Sequence, residues 1–511
     1  MDELVRLIVS LTKSEKRYFK MFSSLQSGEK GYLKLFEAVE KHGDYNEDKI
    51  RKMFKGEDWI KRLPAVKNYL YGQILKSLRV NYAGTTVESQ IREMLDDVSI
   101  LYEKRIYKQC AKILEKAKDL AKSHEQILQL VEINMWEEKV LMEGANLEKF
   151  EKMLESSLER ETELLDQQKN IANYRLLYNR IVFLNKRIKE ARTEEELEQF
   201  REVIDHPLMR SADLAQSFEA KYYFYHAHLI YNHAKGDNEA CLQIAEKQLE
   251  LLESFPGKIA EKPKMYIATL NNILLSMIHL HSYDHFDEML NKLRNFSVGS
   301  LNLEVNRFVS SYIFEMVMYL DTGDFTKSTA IRDNITEGLK KYADKINPIE
   351  EITLLYNLFY SYFGAGEFNK ALGVINKLLN EYQKELRYDI QCAVRLLNLI
   401  LHYELGNSKL LEYNAVSAYR FLYKSKRLYQ AENIVLNFIR KKMRYIYTSK
   451  DEMEAFIELR KELSELSDHP YEKKAFEYFD YISWLDSRIQ KRPFEEIVKD
   501  KFLAKYPHAK K

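Results

Sequence analysis

Glycine and proline are scarce, 16 and 8 in 511 residues, against usual shares of about 7% and 5%. So little turn-forming material leaves room for long helices on short loops. It excludes the parallel-sheet enzymes, whose strand-to-helix turns need glycine and whose strands need β-branched runs. Cysteine is scarcer still: Cys110, Cys241 and Cys392 stand far apart, each among apolar helical residues. That pattern argues for buried thiols in a reducing compartment, against a disulfide frame or a zinc site. Nowhere does an uncharged apolar run approach the eighteen residues of a membrane span. The first residues carry Asp2 and Glu3 where a signal peptide would be basic. A surplus of one charge sign is also missing, with 79 Lys plus Arg against 78 Asp plus Glu, so no global field draws in nucleic acid or an anionic membrane. These absences predict a soluble, cytoplasmic, all-α protein.

The clearest unit of what remains is Ile352 to Tyr382. Leu355, Leu358, Phe359 and Tyr362 recur three or four apart, and Gly364-Ala-Gly-Glu-Phe368 breaks the helix. Ala371, Val374, Ile375 and Leu378 then form the apolar face of a second helix. The placement of Tyr362, Gly366, Phe368 and Ala371 resembles the core of the tetratricopeptide repeat. Turn points at Gly236, Ser282, Gly323, Gly366 and Gly406 follow at intervals of 46, 41, 43 and 40 residues. These exceed the roughly 34 residues of the standard repeat; the array resembles the long repeats of bacterial regulators. The resemblance implies a right-handed α-α solenoid whose concave surface binds a protein or peptide, with no chemistry and no cofactor of its own.

The expected organisation is an N-terminal helical bundle over 1–85, degenerate repeats over 86–205, the TPR-like solenoid over 206–450 and a C-terminal helical cap over 451–511. In the bundle, Thr12 and Glu15 have capping-box spacing and Pro64 suits a first helical turn. Further helices are expected at about Lys30 to Lys41, ending at Gly43, and from about Asn46. In the degenerate part, Tyr107 and Cys110 stand where Phe368 and Ala371 stand later, with Arg105 in place of the glycine. Past Gly406 the phase is open: Ser408 to Lys424 fits either the second helix of one unit or the first of the next. Tyr471 to Gln490 and Pro493 to Tyr506 read as helices supplying a polar terminus.

Candidate chemistry is thin. His281 and His285 have the i, i+4 spacing of a helical metal pair, but Ser282-Tyr-Asp between them reads as a turn, and no His-Glu-x-x-His occurs. No phosphate loop, Gly-x-Ser-x-Gly or kinase-like set is present, so no enzyme is expected. The dense aromatic runs Tyr222-Tyr-Phe-Tyr225 and Phe359-Tyr-Ser-Tyr-Phe363 exceed one core stripe. Tyr222, Tyr225, Tyr360 and Tyr362 are therefore candidates for a peptide groove. From Arg420 to Lys450 nine basic residues face a single acid, Glu432, with aromatics between. Arg420, Lys424, Lys426, Arg427, Arg440, Lys441 and Arg444 are candidates for an acidic partner segment or, alternatively, single-stranded nucleic acid. Residues 125–166 are the mirror image, twelve acids against four basic residues, which suggests self-association between the acidic and basic regions. A nucleic-acid regulator is the alternative function, using the basic region or the N-terminal bundle, where Lys61, Arg62, Lys67, Lys76 and Arg79 flank the helix after Pro64.

Overall fold

Few residues interrupt helical hydrogen bonding, and the computed structural model accordingly contains helices and no strand among the described residues. The structure describes residues 3–24, 31–42, 47–143, 147–188, 191, 193–382, 386–424, 430–442, 448–466, 476 and 478–507. The expected boundaries at Lys30, Gly43, Asn46 and Tyr471 lie outside them. Two compact units divide the chain, Met1–Asn173 with Gln216–Ala220, and Tyr174–Ala215 with Lys221–Lys511. This cut falls inside the region expected to be degenerate repeats.

The first unit begins with α1 (Glu3–Ser10), α2 (Lys13–Ser24), α3 (Gly31–His42), α4 (Glu47–Met53) and α5 (Leu63–Tyr82). Val5, Ile8, Phe19, Leu35, Phe36, Val39, Leu63, Leu70 and Ile74 enclose a core of their own. The Thr12–Glu15 capping box starts α2: Glu15 N–H donates to Thr12 Oγ1 at 3.2 Å and Thr12 N–H to Glu15 Oε2 at 2.6 Å. The Tyr82 hydroxyl donates to the same carboxylate at 2.7 Å, tying the end of α5 to the start of α2. Further helices follow, α6 (Val87–Glu103), α7 (Tyr107–Ser123), α8 (Ile127–Met142) and the first part of α9 (Leu147–Ile188), which continues past Asn173 into the second unit.

The second unit contains α10 (Glu194–Ile204), α11 (Phe218–Lys235), α12 (Asn238–Glu253), α13 (Pro256–Glu261), α14 (Pro263–Leu280) and α15 (Phe286–Asn295). It continues with α16 (Leu301–Thr322), α17 (Phe325–Lys341), α18 (Pro348–Gly364), α19 (Phe368–Asn380), α20 (Tyr388–Glu404) and α21 (Ser408–Lys424). Beyond these come α22 (Gln430–Asn437), a π-helical turn (Phe438–Lys442), α23 (Ser449–Ser464), α24 (Tyr481–Gln490) and α25 (Phe494–Lys505). From α12 to α21 consecutive helices pack on each other, and so do alternate ones such as α12 with α14, α16 with α18, and α18 with α20.

One device recurs at the turns. A residue with positive φ ends a helix, and the next N–H reaches back five residues to a carbonyl, the outer bond of a Schellman motif. It occurs as Ile106 to Leu101 (3.0 Å), Gln126 to Ala121 (2.8 Å), Asp237 to Asn232 (2.9 Å) and Ser282 to Met277 (3.0 Å). It occurs again as Asp324 to Tyr319 (3.0 Å), Glu367 to Tyr362 (2.8 Å), Asn407 to His402 (2.9 Å) and Arg492 to Ser487 (3.1 Å). Five residues after the positive-φ position a buried side chain enters the seam between helices: Cys110, Cys241, Phe286, Ser328, Ala371 and Leu411. The thiols of Cys110 and Cys241 both point at the carbonyl twelve residues earlier, Val98 and Leu229, at 3.6 and 3.7 Å. Burial raises the pKa of each thiol, that of Cys241 to about 11.

The C-terminal helices do more than close the last pair. Residues 478–506 run back onto α16, α17 and α18, where Phe494 stacks on Phe325 with ring centroids 5.6 Å apart. Thr326 N–H and Oγ1 donate to the Glu495 carboxylate at 3.0 and 2.8 Å, and Lys499 pairs with Asp324 at 2.8 Å. At Gly323 the approach is so close that a Cβ would lie 2.7 Å from the Lys499 backbone nitrogen.

Candidate partner-binding surfaces

The aromatic candidates are mostly occupied within the chain. Tyr222 is buried on α11, its ring stacked on His226 at 5.6 Å, and burial raises its pKa far above the usual 10. Tyr225 is half-buried, edge-on to Phe224 at 5.4 Å. On α18, Tyr360 packs between Phe325 and Phe479, and its hydroxyl oxygen accepts from Asp480 N–H at 3.2 Å. Neighbouring Tyr356 donates its hydroxyl to the Tyr478 carbonyl. Tyr362 faces the other way, under the Arg332 guanidinium at 4.5 Å and Lys370 Nζ at 5.7 Å. The face of α18 read as a groove is therefore filled by the C-terminal segment. Beside it remains a cavity of about 570 Å³ bounded by His281, Asp321, Asn357, Phe502 and Lys505.

The histidines do not assemble. His281 adopts φ 50° at the end of α14 and its Nδ1 contacts Asp321 Oδ2 at 2.5 Å, while His285 is exposed beyond the turn. Among the described residues no group of three His, Cys, Asp or Glu side chains is placed to hold a metal. Nor is any described helix long and apolar enough to cross a membrane.

The basic candidates fare differently. Lys426, Arg427 and Arg444, and the side chain of Lys441, lie outside the described residues. Arg420 and Lys424 stand on the outer face of α21, and Arg440 approaches it from the π-helical turn, its guanidinium 5.0 Å from the Tyr419 ring. At about 100° per residue, Leu410, Tyr413, Val416, Arg420, Tyr423 and Lys424 share that face. Tyr413 is 75% exposed and Tyr423 68%. The opposite face buries Leu411, Ala415, Ala418 and Leu422, so α21 is amphipathic toward the core and carries a second, uncovered aromatic and basic stripe. In the N-terminal bundle, Lys61 is engaged by Asp58 at 3.0 Å. Arg79 lines a shallow trough with Gly72, Leu75, Leu78 and Tyr82.

Sequence reasoning located the acidic stretch 125–166 but missed what it frames. Leu128, Met135 and Met142 on α8, and Leu154, Leu158 and Leu165 on α9, are all exposed. The interval of seven between the three α8 residues was the available signal. No family model, no curated protein and no solved structure matches this chain.

Proposed function

We propose that the protein is a non-enzymatic scaffold of tetratricopeptide-like helix pairs that binds a protein or peptide partner carrying acidic residues. The observation that carries this reading is the outer face of α21. Two tyrosines that are mostly in water flank Arg420 and Lys424 on a helix whose other face is core. Tyrosine and arginine are the residues most enriched where partner binding concentrates its energy, and a stripe of one charge sign steers a complementary partner. The recurrent turn geometry supports the repeat architecture, since each pair buries its seam against its neighbours.

The test is capture from a native lysate with the wild-type chain and with an Arg420→Glu/Lys424→Glu variant, analysing protein and nucleic acid in both eluates. A protein retained by the wild type and lost by the variant is the expected result. Nucleic acid retained in a strongly salt-dependent manner would replace this reading with a nucleic-acid regulator.

A further inference from the structure

The exposed leucines and methionines of α8 and α9 lie on one side of that helix pair. Asn134 of α8 faces α9, donating to the Ser157 carbonyl at 3.1 Å, and Ser157 Oγ answers Glu138 at 2.7 Å. These contacts stand a similar number of residues on either side of the connection between Met142 and Leu147, so the helices run antiparallel. Met135 follows Asn134, and Leu158 follows Ser157, by one residue each. One step on a helix turns the side chain by about 100°. On antiparallel neighbours the same step falls on the same side of the pair. Leu128 and Met142 share the direction of Met135 at intervals of seven, and Leu154 and Leu165 that of Leu158 at intervals of four and seven. The result is an uncovered apolar trough, with Met142 and Leu158 each about two-thirds exposed. Glu132, Glu155 and Glu161 border it, against Lys139 and Lys169.

We infer that this trough is the docking site for the α21 face of a second copy of the chain. The match is threefold. The trough is apolar, and Glu132, Glu155 and Glu161 outnumber Lys139 and Lys169 along its edge, while the α21 face is aromatic and aliphatic with the basic Arg420 and Lys424. The lengths agree: Leu128 to Met142 and Leu410 to Tyr423 each span roughly 20 Å at 1.5 Å per residue. Both surfaces lack a cover among the described residues, and methionine-rich troughs adapt readily to an incoming helix. The contact is between two different patches, so each molecule offers one donor face and one acceptor trough. This inference shares α21 with the scaffold reading but does not depend on any other partner.

The experiment is sedimentation velocity on the full chain over a range of concentrations, with wild type, two variants and the mixture of those variants. Wild type is expected to shift from monomer toward larger species as concentration rises, with association weakened about tenfold or more between low and high salt because the rim charges are screened. Leu158→Glu disables the trough, and Tyr413→Ala/Arg420→Glu disables the donor face; each alone is expected to associate at least tenfold more weakly than wild type. All three substituted positions are exposed, and circular dichroism on each variant checks that the helices persist. Mixed together, the two variants retain one intact donor face and one intact trough between them, so the mixture is expected to form a one-to-one pair that neither forms alone. A wild-type chain that is monomeric at every concentration, an assembly indifferent to either variant, or a mixture that fails to pair would each overturn the proposal. None of those outcomes alters capture of a separate partner, which tests the scaffold reading.

Discussion

Among single residues, Arg332 carries the largest electrostatic responsibility in the described interior. It is 3% exposed and joins α17 to α18 through Ser361 Oγ at 2.8 Å, the Ser361 carbonyl at 3.0 Å and the Glu367 carboxylate. Lys370 and then Arg332 hold the Glu367 carboxyl below its usual pKa. Arg332→Ala would remove the charged donor to Ser361, while the partly exposed Glu367 keeps Lys370; loss of a hydrogen bond to a charged group costs about 1.5–3 kcal/mol. Urea unfolding should register that loss as a lower midpoint. His226 makes the opposite kind of demand. Burial keeps its pKa below the usual 6.5, against the partial opposition of the Gln248 hydrogen bond, and His228 is lowered for the same reason. Below pH 6.5 the unfolded chain takes up protons that the folded one refuses. Stability is therefore full above that pH and falls as pH drops through the folded values. His226→Phe, which keeps a ring against Tyr222, should flatten part of the decline in melting temperature measured between about pH 7.5 and 5.5.

Among elements, the turns separate what the sequence declares from what it conceals. Gly236, Gly323, Gly366 and Gly406 all have positive φ, and glycine's tolerance of that conformation is what made these turn points readable. Arg105, Glu125, His281 and Lys491 adopt the same conformation without glycine. Nothing in their residue type announces it, and there the Schellman bonds and the packing of the next helix enforce it. The rings were harder to place. Tyr222 and Tyr360 look alike in a dense aromatic run, yet one enters its own pair's core and the other meets residues more than a hundred positions later. Periodicity reports which residues share a face but not what will cover it. The seating of α25 can be isolated by comparing two glycines. A Cβ added to Gly406, at φ 69°, would stand in open space, whereas one added to Gly323, at φ 75°, would meet the α25 backbone. Gly406→Ala should cost about 1–2 kcal/mol of backbone strain alone. Gly323→Ala should cost measurably more in thermal unfolding, and equal losses would show that α25 yields without resistance.

At the scale of the whole chain, near-neutral total charge conceals two oppositely charged regions, 125–166 and 420–450. Composition alone would have predicted indifference to salt; under the self-docking proposed above, the distribution makes ionic strength a control on association. The helical class and the paired-helix organisation were legible because hydrophobic spacing and glycine position are local properties. The destination of residues 478–506 was not, because it is a long-range pairing, and the Tyr356–Tyr478 bond spans 122 residues. That span has a temporal meaning. At about 5–20 residues per second, the ribosome leaves the aromatic face of α18 uncovered for roughly 6–24 s after making it. During this interval the half-made protein displays the sticky surface that the finished one hides, so its safe synthesis depends on whatever shields that surface while translation continues.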